Sequence, residues 1–180
     1  MSDEIATLIE PQIPALRRYA RALLRDRDAA DDLVQDTLER AISRWPLRRR
    51  DGDLKSWLFT IERNLFLAGL RQTRRRGVHV GEESLESFPS EEPPPDASLG
   101  VRDVLTGLAG LPEEQRSVLL LVAVEEFSYA DTAKVLGVPI GTVMSRLSRA
   151  RATLRRSVDD QAEPGGTAPR LHIIGGRDER

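Results

Sequence analysis

The stretch Phe127–Ser157, FSYADTAKVLGVPIGTVMSRLSRARATLRRS, decides how this chain is read. Ser128 is placed to cap a short helix that ends at Gly137. Val138-Pro139-Ile140-Gly141 reads as a turn, and Thr142 opens a second helix with Val143, Leu147, Ala150 and Leu154 as its core stripe. Ala133, Gly137 and Val143 have the spacing of a helix-turn-helix. A small residue lets two helices approach, glycine takes the left-handed turn conformation, and a branched apolar residue locks the second helix inward. Thr142, Ser145, Ser148, Arg149 and Arg156 fall on the outward face, flanked by Arg146. Residues 141–156 hold five arginines and no acid. Hydroxyls and arginines on one face suit a reader of the DNA major groove. The alternative is a purely structural helical hairpin.

Upstream, residues 113–124 predict an apolar helix after Leu111-Pro112, where proline is tolerated near the N-terminus. Near the start of the chain, residues 3–25 read as one helix and 28–45 as a second, with Asp28 as its N-cap. Val34, Leu38, Ala41 and Trp45 make one apolar stripe of the second helix. On its other side Asp32, Gln35, Asp36 and Glu39 form an acidic row, which is either a solvated face or a docking surface for a basic partner. Pro46 ends this helix. Arg48, Arg49 and Arg50 then make a basic loop with the turn Asp51-Gly52-Asp53. A long helix is expected from Leu54 to Arg76, with Leu54, Trp57, Leu58, Ile61 and Leu65 inward. Ser56, Thr60, Asn64, Arg71 and Arg74 lie roughly opposite, and the row ends in Arg74-Arg75-Arg76. Such a face suits a phosphate backbone, or else solubilises a helix end. Both tryptophans, Trp45 and Trp57, lie on apolar stripes and are expected in the core.

Composition bounds what surrounds these motifs. The 180 residues are 39% hydrophobic and 31% charged, but only 4% aromatic, so the core must be aliphatic. The absence of cysteine excludes a disulfide framework, a cysteine zinc site and thiol catalysis. His79 and His172 are far apart in polar stretches, so neither a metal nor another cofactor is expected. No run of 18 apolar residues and no signal-peptide pattern is present, which predicts a cytoplasmic protein without membrane insertion. The net charge of −2 is strongly partitioned. Residues 1–78 carry 16 Lys/Arg against 12 Asp/Glu, and residues 99–158 carry eight against six. Between them, residues 79–98 hold six acids, no Lys or Arg, and the triplet Pro93 to Pro95. This stretch reads as a flexible linker. Residues 159–180 read as a disordered tail, whose apolar island Leu171 to Ile174 can alternatively add a strand to a partner or pack on the second domain. The expected fold is all-α: two small helical domains, 1–78 and 99–158, joined by an acidic linker.

DDLVQDTLERA, LKSWLFTIERNLFLAGLRQTRRR, LAGLPEEQRSVLLLVAVEEFSY and VLGVPIGTVMSRLSRARATLRR, in this order, resemble an extracytoplasmic-function sigma factor of the sigma-70 family over about residues 10–157. The resemblance implies a non-enzymatic specificity subunit of RNA polymerase, with a −10 domain (sigma domain 2) and a −35 domain (sigma domain 4). It implies that Asp32, Gln35, Asp36 and Glu39 dock on the polymerase clamp coiled coil, with the flap as a second polymerase contact. Arg48, Arg49, Arg50, Lys55, Ser56, Thr60, Asn64, Arg71, Arg74 and Arg75 would hold the −10 DNA, where an unpaired base must be flipped into a pocket and its backbone gripped. Thr142, Met144, Ser145, Arg146, Ser148 and Arg149 would face the −35 DNA. Met144 stands where many members have lysine, and Asp131-Thr132 replaces the commoner Glu-Glu or Glu-Ile at a position expected to be structural. An anti-sigma factor is the implied regulator, with the chain a monomer when free or paired one to one with it. The linker's acidity would mimic nucleic acid in the polymerase channel.

Two other functions fit parts of the sequence. A sigma mimic would bind anti-sigma proteins without driving transcription, but would be expected to have lost its DNA-facing arginines. An ordinary helix-turn-helix regulator would have no reason to carry both the acidic row and the Arg-ended helix. No Gly-rich phosphate loop, Ser/His/Asp set or metal cluster points to a catalytic site.

Overall fold

A computed structural model describes residues 2–49, 52–75 and 106–161. The linker at 79–98, the residues Arg50, Asp51 and Arg76, both histidines, the island Leu171–Ile174 and the expected domain boundaries at 78 and 99 lie outside the described residues, as does the side chain of Arg74. Among the described residues every regular element is helical. They form two compact units.

The first unit contains α1 (Ser2–Ile9), α2 (Ile13–Leu24), α3 (Arg27–Arg44) and α4 (Leu54–Arg75). The single helix expected over 3–25 is broken by a 3-10 turn at Glu10–Gln12. Pro11 and Pro14 explain the break, because each removes an amide donor and crowds the preceding turn. Arg25 closes α2 in the left-handed conformation, at φ 58°. Asp26, not Asp28, caps α3: its carboxylate accepts from the Ala29 amide at 2.8 Å. Asp28 lies inside the first turn, where its charge still favours the helix dipole. Asp26→Ala should therefore cost about 1 kcal/mol, read as a lowered midpoint in urea denaturation, with little effect from Asp28→Ala.

The α3 core face is wider than the expected stripe. Ala30, Leu33, Val34, Thr37 and Ala41 are buried, whereas Leu38 and Trp45 are only half-buried. Thr37 is tolerated inside because its hydroxyl donates to the Leu33 carbonyl at 2.8 Å. The buried face of α4 is likewise turned from the expected one. Leu58, Phe59, Ile61 and Phe66 are buried, while Leu54, Trp57 and Leu65 are half-buried. Phe59 packs on Tyr19 of α2 with ring centroids 5.3 Å apart. The two tryptophans are thus not in the innermost core. They meet each other edge-to-face, 6.0 Å apart, at the foot of the loop between α3 and α4.

The second unit is built on α5 (Glu113–Ala123) and α7 (Ile140–Gln161), with α6 (Tyr129–Leu136) between them in the chain. Arg116 to Val122 of α5 are all buried, as expected of a central helix. The Arg116 guanidinium among them donates to the carbonyls of Leu108, Ala109 and Leu111 at 2.9, 2.7 and 2.8 Å. It thereby closes the end of the short helical segment that precedes α5. A side chain at Gly107 would meet Leu154 and Ser157, so this segment packs on the C-terminal half of α7. Val143, Leu147, Ala150 and Leu154 are all buried, as the stripe predicted. α7 begins at Ile140, two residues before the expected Thr142, because Pro139 already accepts from the amides of Thr142 and Val143. It also continues to Gln161, into the stretch expected to be tail. Its first helix-incompatible residue is Pro164.

Candidate functional site

The turn between α6 and α7 forms as its sequence requires. The Asp131 amide donates to Ser128 Oγ at 3.0 Å, and Ser128 Oγ donates to Asp131 Oδ2 at 2.7 Å. This reciprocal cap starts α6. Thr132 beside it is fully buried, so both residues of this pair are structural. At the other end Gly137 has φ +64°, and the amides of Gly137 and Val138 return to Lys134 and Ala133. This paired closure ends α6 and sets the chain up to enter α7, the second arm of the motif.

On that arm Met144, Ser145, Ser148 and Arg149 are exposed, and Met144 keeps 51% of its surface open. Thr142 is half-buried. Arg146 differs from its neighbours: its Nη2 lies 2.6 Å from Glu114 Oε2 on α5. That pair turns Arg146 along the flank of α7 and shares its charge within the protein. The arginine-rich tip therefore presents Arg149, which is exposed, more openly than Arg146. Glu114→Gln should release Arg146 and raise affinity for nonspecific duplex DNA, most visibly at low salt.

In the first unit, the loop from Trp45 to Leu54 is braced from within. Arg48 stacks on the Trp45 ring at 5.1 Å and donates to the Gly52 carbonyl at 3.0 Å. Asp53 caps α4 through the Ser56 amide at 2.7 Å. Lys55 lies over the Phe59 ring at 5.9 Å. Of the expected polar row, Thr60 is tied by its hydroxyl to the Ser56 carbonyl at 2.7 Å, and the Ser56 hydroxyl is buried. These two shape α4 instead of facing outward. Asn64, Arg71 and Arg75 are exposed, as is Arg49 on the loop. The structure adds Leu47, which no periodic pattern singled out. The 3-10 turn Trp45–Leu47 projects it until 83% of it is exposed, immediately before the basic loop. The signal was Pro46, which forces the tight turn and leaves the next side chain outside it.

Asp32, Gln35, Asp36 and Glu39 are all exposed on α3, and Gln35 Nε2 donates to Glu39 Oε1 at 3.1 Å. The neighbouring Asp31 is different, because Arg17 and Arg21 of α2 hold it at 3.0 and 3.7 Å. The acids of the row thus point away from the bundle while Asp31 secures it. No helix among the described residues is long and apolar enough to cross a membrane.

Known proteins match both units. Residues 9–62 match the family described as the Sigma2 domain of PhyR, and residues 102–154 match Sigma-70, region 4. The chain is 38% identical over 154 residues to the ECF RNA polymerase sigma factor EcfG of Rhodopseudomonas palustris, covering 86% of this chain and 84% of that one. Among solved structures, the sigma factor RpoE bound to the anti-sigma factor NepR from Bartonella quintana is 36% identical. It matches with a TM-score of 0.72 over 88% of this chain and 99% of RpoE. CnrH, in complex with the cytosolic domain of CnrY, is 25% identical with a TM-score of 0.64, over 90% of this chain and 92% of CnrH.

Proposed function

The chain belongs to the extracytoplasmic-function group of the sigma-70 family, and from that premise we propose how its surfaces divide the work of an RNA polymerase sigma factor. The first unit, taken as residues 1–78, docks on the polymerase clamp through Asp32, Gln35, Asp36 and Glu39. Its loop residues Arg48, Arg49, Arg50 and Lys55, with Asn64, Arg71, Arg74 and Arg75 on α4, hold the −10 strand. Arg48 and Lys55 act by fixing the loop, Ser56 and Thr60 by shaping the helix under it. The second unit, residues 99–158, reads the −35 element through Met144, Ser145, Ser148 and Arg149, while Thr142 and Arg146 set the edge of that face. The linker 79–98 joins the two along the polymerase. An anti-sigma factor controls the protein, as RpoE of Bartonella quintana is found with the anti-sigma factor NepR. The work takes place in the cytoplasm, and no residue is assigned a catalytic role.

One observation carries this assignment: the chain combines an exposed acidic row on α3 with an exposed hydroxyl and arginine face on α7. A DNA regulator needs only the second. A sigma mimic needs neither basic face, although the first unit matches the PhyR domain model. Run-off transcription with core RNA polymerase on fragmented genomic DNA is the direct test. Discrete new starts sharing −35 and −10 elements are expected. Core binding without transcripts would favour the mimic, and no core binding would reduce the protein to a DNA-binding regulator. Once a promoter is known, Arg149→Ala should weaken its use about tenfold if the arginine reads a base edge.

A further inference from the structure

Leu47 is the most open large apolar side chain among the described residues, at 83%, where the other exposed ones keep between 46% and 56% of their surface. A lone apolar residue on a surface needs no explanation by itself. What sets Leu47 apart is that the chain around it holds it out. The Arg48 amide donates to the Trp45 carbonyl at 3.1 Å, and the Gly52 amide to the Arg49 carbonyl at 3.2 Å. Pro46 fixes its own φ inside that turn. The Arg48 guanidinium, stacked on Trp45 and bonded to the Gly52 carbonyl, ties the two ends of the loop together. Leu47 cannot fold back onto the bundle without breaking these contacts.

Its surroundings decide which partner it fits. Arg48 and Arg49 follow it directly, and Arg44 stands exposed at the end of α3 just before it. Asp53 carries the opposite charge, but its carboxylate is turned to the Ser56 amide at the start of α4. An apolar group ringed by cations suits a partner whose apolar faces lie within an anionic edge, as bases lie between phosphates. A protein pocket that took Leu47 would need an acidic rim to match.

We propose that Leu47 is an apolar wedge that enters the base stack where the −10 segment opens. This deepens the −10 role given to the loop and rests on it. An apolar side chain inserted at a base step parts the stack, and leucine is among the residues suited to it. The arginines beside it grip the backbone, so the strand that leaves the stack is held as it emerges. The brace matters because a side chain free to swing aside would yield before the bases did. The two tryptophans nearby are engaged with each other, 6.0 Å apart, and leave this task to Leu47.

The test uses the full chain with core RNA polymerase, on a promoter found by run-off. Leu47→Ala removes almost no buried surface, so it should fold and bind core as the wild type does. Run-off from the duplex promoter should fall about tenfold, the scale of one leucine's apolar contact. On the same promoter with its −10 segment held open by mismatches, the variant should match the wild type. 2-Aminopurine placed in the −10 segment of the duplex should brighten correspondingly more slowly. Leu47→Met, apolar and of similar volume, should restore most of the duplex activity, whereas Leu47→Gln should not. Rescue by glutamine as complete as by methionine would overturn an apolar wedge. Equal losses on duplex and mismatched templates would overturn it too, making Leu47 a contact to the strand already open. Weakened core binding would overturn it in favour of a protein pocket. Full duplex activity in Leu47→Ala, beside an active wild type, would sink the wedge alone. A wild type silent on both templates would instead sink the −10 assignment, and the wedge with it.

Discussion

Arg116→Ala is expected to unfold the second unit at physiological temperature while leaving the first folded. The side chain is 4% exposed, and its guanidinium serves three main-chain carbonyls. Removing it takes this donor from all three, leaves the Leu108 carbonyl with the Leu111 amide, and opens a void beneath the segment at Gly107. Losses of this kind sum to about 4 kcal/mol, close to the whole stability of a helical unit this small. A midpoint shift on the order of 20 °C follows for a domain of this size. Urea titration of the full chain, followed by far-ultraviolet circular dichroism, should show one transition preserved and one displaced to low denaturant. Arg116→Lys is the informative companion. It keeps the charge but not the planar fork that reaches several carbonyls at once, so it should fall between wild type and alanine. An unchanged second transition in Arg116→Ala would show that the carbonyls find other donors.

The second large effect is expected on polymerase binding. Asp32→Arg combined with Asp36→Arg should weaken association with core RNA polymerase about 100-fold, some 3 kcal/mol, because two attractive contacts become repulsive. Both residues are exposed, so the fold should be unharmed. Relief of repulsion within the row should even stabilise α3 by a few tenths of a kcal/mol. Asp31→Arg is the contrasting substitution. It breaks the contacts to Arg17 and Arg21 and should lower stability before it affects docking. Equilibrium binding to core enzyme, with denaturation run in parallel, distinguishes the two. Unaltered affinity in the double variant would return the acidic row to the status of a solvated face.

The α6–α7 turn was legible because each of its requirements is local. Ser128, Gly137 and the Val143–Leu154 stripe need only their neighbours to be interpreted, and each occupies its expected place. The start of the chain was less legible because two prolines compete with an otherwise continuous apolar pattern, and only the packed bundle shows which turn yields. The face of α4 was misjudged for a different reason. Phe59 and Phe66 were left out of the stripe, yet Tyr19 on another helix provides the surface that draws Phe59 inward. The same rotation ties the Thr60 hydroxyl to the helix itself and buries that of Ser56. Arg146 was counted with the DNA face because its partner, Glu114, lies more than thirty residues away in sequence. Arg116 could not be foreseen as a core residue, since nothing in a sequence marks which arginine will find three carbonyls.

The paired tryptophans give the protein an optical asymmetry. Trp45 and Trp57 are its whole complement of indoles, and they sit together beneath the Arg48-braced loop. Intrinsic emission excited at the red edge of protein absorption therefore arises from one corner of one unit, and the helix-turn-helix is dark. Any change in that emission when a single strand is added is a signal from the loop, free of contributions from the −35 side. Light thus separates the two halves of promoter recognition without a label.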